Sequence, residues 1–218
     1  MEKEKKILII TGGHAEEEFL RDLLKREQFQ SVIAVDHGLE IVDRLQLEPS
    51  YIVGDFDSVA EEILLKYRNK STPIEALPRE KDKTDTNIAV ELAIQQNADS
   101  IVIAGATGSR MDHTLANIHL LLLPLELEIS AVMIDSHNKI YLKKESFQLK
   151  KAEQFGDYVS LLPFTQQVSG LTLRGFKYPL DHIILEAGSS LGISNEILED
   201  IADVEISDGT LLVIEARD

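Results

Sequence analysis

The chain has 218 residues, 44% of them hydrophobic, enough to bury a sizeable core in one large domain or two small ones, which argues against a disordered polymer. Its 22 basic and 38 acidic residues leave a net charge of −16, so a nucleic-acid backbone would be repelled, whereas a cationic small molecule or anions arriving with Mg²⁺ would not. The absence of cysteine excludes disulfides, thiolate catalysis and cysteine-based zinc sites.

The first half alternates continuous apolar runs with helical patterns. Lys6 to Thr11 reads as a strand ending in Gly12-Gly13, and Ala15 to Glu27 as a helix. Ser31 to Val35 is a second strand before a short helix, Gly38 to Leu45; Tyr51 to Val53 is a third before a helix over Val59 to Asn69. Ile74 to Leu77 is a short strand, and Thr84 to Gln96 a helix with Ile88, Ala89, Leu92 and Ala93 on one stripe. Ile101 to Ala104, a helix over His113 to Leu123, and the strand Glu128 to Ile134 complete the series. Continuous apolar strands separated by helices predict a parallel sheet covered on both faces.

Beyond about Asp135 the pattern changes to short strands between turn signals such as Asn138-Lys139, Ser169-Gly170 and Asp208-Gly209. Strands are predicted at Ile140 to Leu142, Tyr158 to Leu162, Leu171 to Leu173, His182 to Leu185, Ala202 to Ile206 and Leu211 to Ile214, without a convincing helix. The expected architecture is therefore an N-terminal parallel-sheet α/β domain, residues 1–135, followed by a C-terminal antiparallel β-sandwich domain, residues 136–218. Ile7 to Ile10 is too short for a signal peptide, and Pro124 and Glu126 interrupt the longest apolar stretch, so no membrane contact and a cytoplasmic location are expected.

Three charged motifs fall at strand ends. In Gly54-Asp55-Phe56-Asp57-Ser58, extended geometry would point both carboxylates to one side at the carboxyl end of a strand, where open α/β sheets bind ligands. Mg²⁺ takes hard oxygen ligands and usually only one or two protein carboxylates, so the pair suits it; an acidic turn capping the next helix explains the residues equally simply. In Lys81-Asp82-Lys83-Thr84-Asp85, Asp82 or Thr84 can cap the following helix and Asp85 complement its dipole, while the lysines suit phosphate. In Gly105-Ala106-Thr107-Gly108-Ser109-Arg110-Met111-Asp112-His113, the glycines permit close approach of backbone to a ligand and Arg110 can clamp phosphate, or the segment is a left-handed turn capped at Asp112. Thr11-Gly12-Gly13-His14 could cradle phosphate through backbone N–H groups, although neither a Gly-x-Gly-x-x-Gly nor a P-loop sequence is present. The six histidines lack metal-ligand spacing; His113 is the one expected in the site.

In order along the chain, Val35-Asp36-His37-Gly38, the three motifs above, Gly175-Phe176-Lys177-Tyr178-Pro179-Leu180 and Leu191-Gly192-Ile193-Ser194-Asn195-Glu196 resemble the thiamine pyrophosphokinases of bacteria over nearly the whole length. The resemblance implies a two-domain homodimer that moves the β,γ-pyrophosphoryl group of ATP to the hydroxyl of thiamine, with Mg²⁺. It implies Asp55, Asp57 and Asp85 as metal-binding and catalytic acids, with Arg110 and Asp112 also catalytic. Gly12, Gly13, Lys81, Asp82, Arg110 and His113 would face ATP, and Asp36, Asp112, Ser194 and Asn195 thiamine. The chain departs from the family at His37, where the pattern has glycine, and at Ser109, where Gly-Gly-Arg is usual. Two other readings stand beside this one: a haloacid-dehalogenase-like phosphatase, suggested by Asp55-x-Asp57, and a binding module that has lost turnover.

Overall fold

A computed structural model describes residues 4–57, 59–70, 72–76 and 82–218; Ser58, Leu77 and Lys81, which the sequence reading used, lie outside them. The chain divides into two compact units, Met1–Ser136 and His137–Asp218.

In the first unit, β1 (Lys6–Ile10), β2 (Ser31–Val35), β3 (Tyr51–Gly54), β4 (Ile74–Ala76), β5 (Ser100–Ala104) and β6 (Ser130–Ile134) pair in parallel in the order β4-β3-β2-β1-β5-β6. β1, β2 and β5 are buried almost end to end, which is why they read as unbroken apolar runs rather than alternating ones. Helices α1 (Glu17–Arg26), α2 (Gly38–Arg44) and α3 (Glu61–Asn69) pack Leu20, Leu23, Leu39, Ile41 and Tyr67 against Leu8, Ile10, Val32, Ala34, Ile52 and Val102. The alternate strand residues Ile9, Ile33, Val53 and Ile103 face the other way and are also fully buried. Helix α4 (Asp85–Gln95), with Ala89, Val90 and Ala93 buried, lies over that second face next to β2 and β3. The crossovers out to β4 and the return to β5 thus use opposite faces, as right-handed connections require. The chain reverses its direction of travel between β1 and β5, and the loops that follow these two adjacent strands meet at the switch point.

The last helical stretch differs from its expectation. It begins at Met111 rather than His113 and breaks at Leu121 into α5 (Met111–Leu120) and α6 (Leu122–Glu126). Pro124 falls within the first turn of α6, where its missing N–H breaks no intrahelical bond.

The second unit holds two antiparallel sheets. β7 (Asn138–Lys143), β13 (Leu211–Ala216) and β9 (Tyr158–Pro163) form one, with β13 central. β8 (Phe147–Lys150), β12 (Ile201–Glu205), β10 (Gln167–Arg174) and β11 (Leu180–Glu186) form the other. β8 is an element the sequence reading lacked, because Phe147-Gln148-Leu149-Lys150 is only half-buried at a sheet edge and carries two polar residues in four. Alternating burial along β9 and β13 matches a sandwich with one face inward. Glu215 on β13 is 1% exposed, and its carboxylate accepts from Lys139 Nζ at 2.8 Å, the Tyr141 hydroxyl at 3.0 Å and the Phe155 N–H at 2.9 Å. That carboxylate is buried at no net polar deficit because every one of these donors is aimed at it.

Among the described residues no helix is long and apolar enough to cross a membrane.

Candidate active site

The carboxyl edge of the parallel sheet gathers the loops after β1, β2, β3 and β5 and the start of α4. Two backbone features shape the β2 and β3 ends. Asp36 takes a left-handed conformation (φ 47°), which aspartate tolerates, and its Oδ1 accepts the Asp55 N–H at 3.2 Å. Gly54 makes this possible: a Cβ there would fall 1.9 Å from Asp36 Oδ1. Asp36 therefore braces the Asp55 backbone from the neighbouring strand.

The Asp55-Phe56-Asp57 segment is not extended. β3 stops at Gly54, and Phe56 sits at φ 60°, a region that bulky side chains rarely occupy. Its ring, 9% exposed, belongs to the core under α1 to α3, and that burial holds the strained backbone in place. The Asp57 N–H turns back to Asp55 Oδ1 at 3.1 Å. The expected same-side convergence by strand alternation is thus replaced by a tight turn, with Asp55 half-buried and Asp57 exposed.

At α4 the cap is Thr84, whose hydroxyl accepts the Asn87 N–H at 3.2 Å, leaving Asp85 as the first helical residue and Asp82 exposed before it. A threonine cap frees Asp85 from capping while the helix dipole still favours its negative charge. Lys83 pairs with Glu91 of the same helix, at 2.7 Å to Oε1 and 2.8 Å to Oε2. Among the described residues no three carboxylate or imidazole groups converge around one point, so Asp55, Asp57 and Asp85 form no ready-made metal cage.

The β1 and β5 loops are stitched together. Thr11 N–H donates to Ala104 O at 2.9 Å, Gly13 N–H to Gly105 O at 2.8 Å, and His14 N–H to Thr107 O at 2.7 Å; the Thr11 hydroxyl also reaches Gly105 O. A Cβ on Gly13 would sit 2.2 Å from Gly105 O and 2.3 Å from Thr107 O. The Gly13 N–H is thus bonded within the protein, and the absence of a side chain there serves a loop-to-loop seam. Gly12 is exposed beside it. Gly108 is different: a Cβ there would make only ordinary van der Waals contacts, 3.7 Å from the His14 backbone nitrogen and 3.9 Å from Gly13 Cα.

Arg110 and Asp112 straddle the start of α5 as an exposed pair, Nη2 to Oδ2 at 2.5 Å and Nε to Oδ1 at 3.2 Å. The Arg110 guanidinium holds the Asp112 carboxyl below the usual carboxylate range, and Asp112 in turn raises Arg110. Asp112 is therefore an ionised, weakly basic partner while paired. His113, also exposed, follows it in the first turn.

The remaining expected residues belong to the β unit. Ser194 is exposed at φ 54°, and its N–H donates to Ser160 Oγ at 3.0 Å. Asn195 is 4% exposed; its Nδ2 donates to Tyr178 O at 2.8 Å, and its Oδ1 accepts Tyr178 N–H at 3.0 Å and Glu196 N–H at 2.9 Å. Its amide oxygen is fully employed on backbone, so Asn195 shapes the turn that presents Ser194 rather than offering that oxygen to a ligand.

One residue at the edge escaped the sequence reading. Asp135 follows β6, is 8% exposed, and accepts the Thr107 hydroxyl at 2.7 Å. The signal was available, an acid directly after a buried parallel strand, but no charged motif surrounds it. The Asp55-x-Asp57 pair follows the third strand, whereas the phosphatase alternative requires it on the first.

Residues 21–133 match the family described as thiamin pyrophosphokinase, catalytic domain, and residues 144–211 the one described as thiamin pyrophosphokinase, vitamin B1 binding domain. The chain is 34% identical to the thiamine pyrophosphokinase of Bacillus subtilis over 187 residues, 85% of this chain and 87% of that protein. It is 25% identical to thiamin pyrophosphokinase 1 of Caenorhabditis elegans over 77% of this chain and 70% of the other. The fold superposes on the crystal structure of the Bacillus subtilis enzyme with a TM-score of 0.88 at 31% identity, covering 98% of this chain and all 100% of that one. The thiamin pyrophosphokinase of Geobacillus thermodenitrificans gives 0.83 at 30% identity, with 98% of each chain covered.

Proposed function

The chain belongs to the thiamin pyrophosphokinase family, and from that premise we propose that it catalyses pyrophosphoryl transfer from ATP to thiamine on the carboxyl edge of its parallel sheet. The thiamine hydroxyl oxygen attacks the β-phosphorus of ATP, the bond from that phosphorus to the α,β-bridging oxygen breaks, and AMP leaves. The hydroxyl proton passes to a carboxylate or to water. The products are thiamine diphosphate and AMP. The observation that carries the reading is the placement of Asp55, Asp57, Asp85, Arg110 and Asp112 in loops along one edge of the parallel sheet, in a chain of this family.

Such a reaction asks the protein mainly for positioning and charge neutralisation. Asp112 takes the Nε/Nη2 edge of the exposed Arg110 guanidinium, and the edge that carries Nη1 would meet phosphate oxygens. Asp82, His113, Gly12 and the exposed Gly108 would line the nucleotide's path, with Lys81 beside them in sequence. Asp85, at a helix start and not consumed as a cap, would face the same space. The donor chemistry of Asp55, Asp57 and Asp85, all hard oxygens, fits Mg²⁺. When bound, the ion would neutralise phosphate charge, with one or two of these carboxylates as protein ligands and phosphate oxygens and water as the rest. Asp36 acts through the Asp55 backbone in this reading, and Ser194 is the thiamine-facing residue of the β unit.

Two further parts belong to the same proposal. Residues 1–135 would carry ATP and residues 136–218 thiamine. The enzyme would work as a cytoplasmic homodimer, a state supported by the exposed Tyr178, Ile184, Leu191 and Leu198 of the β unit. The deciding experiment incubates the protein with ATP, Mg²⁺ and thiamine and separates the nucleotides. AMP in equal amount to thiamine diphosphate is the expected result. ADP with thiamine monophosphate refutes the diphosphotransfer, and thiamine binding by calorimetry without any product indicates the binding module.

A further inference from the structure

Arg110, the arginine assigned to phosphate, has 70% of its side chain in solvent. Its guanidinium is oriented by Asp112, so what remains to be fixed is the backbone from which the side chain projects. The loop leading to it is held at three consecutive points. Asn117, 8% exposed on α5, donates Nδ2 to Ala106 O at 2.8 Å. Thr107 is fastened on two sides, its carbonyl accepting the His14 N–H at 2.7 Å and its hydroxyl donating to Asp135 Oδ2 at 2.7 Å. Arg110 O then accepts the Thr114 N–H at 3.1 Å and the Thr114 hydroxyl at 3.3 Å. Between these clamps only Gly108 and Ser109 are exposed.

The Thr107–Asp135 bond is the unusual member. Burying a carboxylate is costly unless its oxygens are bonded, and a loop could be anchored by neutral groups, as Asn117 of α5 shows at the preceding residue, Ala106. A charged acceptor makes a stronger hydrogen bond than a neutral one and tolerates less displacement of the hydroxyl. It also ties the β5 loop to the end of β6, on the opposite side from the β1 seam. Thr107 is thereby pinned between the loops of both neighbouring strands, three residues before Arg110.

We propose that Thr107 and Asp135 are positioning residues for pyrophosphoryl transfer, acting through Arg110 by fixing the loop from which it projects. The inference rests on the reading of Arg110 as a phosphate contact. Neither residue touches substrate in this account, and loss of their bond lowers turnover because Arg110 is delivered to the transferring group less often.

A kinetic cycle tests it, with kcat and KM measured for both substrates on folded protein. Thr107→Val should lower kcat by ~10- to ~100-fold, the scale of a small misplacement at a reacting centre, with KM for thiamine unchanged. Thr107→Ser, which keeps the hydroxyl, should restore most of the activity. In an Arg110→Ala background, adding Thr107→Val should change kcat by no more than about two-fold, since both act through one group. A purely structural role would instead multiply the two losses and would lower the melting temperature in proportion. If Thr107→Val does not fold, Asp135→Asn, which keeps a neutral acceptor, takes its place in the cycle with a smaller expected loss. Independent losses in the double variant, full activity of Thr107→Val, or failure of Thr107→Ser to rescue overturns the proposal. Wild-type protein that makes no AMP overturns the parent reading instead, so the two failures are distinct.

Discussion

Gly13→Ala is the sharpest test of the seam between the β1 and β5 loops. The new methyl would lie 2.2 Å from Gly105 O and 2.3 Å from Thr107 O. An ordinary C···O contact is about 3.3 Å, so each carbonyl must retreat by roughly 1 Å. Both obstacles are backbone, and no rotamer change relieves them. The bonds from Gly13 N–H and His14 N–H to these same carbonyls, now 2.8 and 2.7 Å, would stretch beyond useful geometry. Losing two such bonds costs about 1–3 kcal/mol in net terms, and more if the donors stay dry, giving a total on the order of 2–5 kcal/mol. For a chain of this size that corresponds to a melting temperature lower by roughly 10 °C. Because the seam also anchors Thr107, turnover should fall by about 100-fold even at a temperature where the variant is folded. The assay pairs a thermal melt followed by circular dichroism with AMP formation at 20–25 °C below the variant's midpoint, about 25 °C for a midpoint near 50 °C. A Gly13→Ala protein that melts with the wild type and turns over normally refutes the seam as the reason for this glycine.

Gly108→Ala should leave the melting temperature unchanged, since its Cβ meets nothing closer than 3.7 Å; a rise in KM for ATP without loss of stability would report a nucleotide lying against that face. Asp85→Asn keeps the helix start, because Thr84 supplies the cap, and should reduce AMP formation by about 100-fold with an unaltered melt; wild-type turnover in that variant removes Asp85 from the site. The pH dependence of stability has a defined sign at Asp43, whose carboxyl is held below its ordinary value first by Lys66 at 2.5 Å and also by the Tyr67 hydroxyl at 3.0 Å. A depressed folded-state value stabilises the protein above the unfolded carboxylate range and fades as the solution is acidified through the folded one. Asp43→Asn should therefore melt lower than wild type at neutral pH and converge with it in acid, as followed by urea unfolding at several pH values; a gap that persists below the carboxylate range refutes the electrostatic cause.

Much of this protein was written in local chemistry. Buried parallel strands such as Ile7 to Ile10 and Ser31 to Val35 declare themselves because both faces must be apolar, and the β unit declares itself by short strands between turn signals such as Ser169-Gly170 and Asp208-Gly209. The order of charged motifs along the chain identified the family, as the matches over residues 21–133 and 144–211 show. What periodicity did not reveal was weakly patterned: β8 at a sheet edge, and the break at Leu121 that starts α6.

The site residues divide in the same way. Residue type and proximity to a strand end singled out Asp55, Asp57, Asp85, Arg110 and Asp112, because a charge at the end of a buried strand is visible in one dimension. Their geometry was not. Whether Asp55 and Asp57 share a side depended on Phe56, whose left-handed backbone is tolerated only because the core buries its ring. Whether Gly13 offers its N–H to a ligand depended on Gly105, and whether Thr107 is held depended on Asp135; each pair is far apart in sequence and adjacent only across neighbouring strands. Which atoms of the Asn195 amide are taken up by backbone depended on Tyr178, which lies apart from it in sequence. Sequence alone determined which chemical groups this protein brings to its sheet edge. Tertiary structure decided which of their donors and acceptors remain for a substrate, because a hydrogen bond already made to a partner distant in sequence cannot be read from either residue alone.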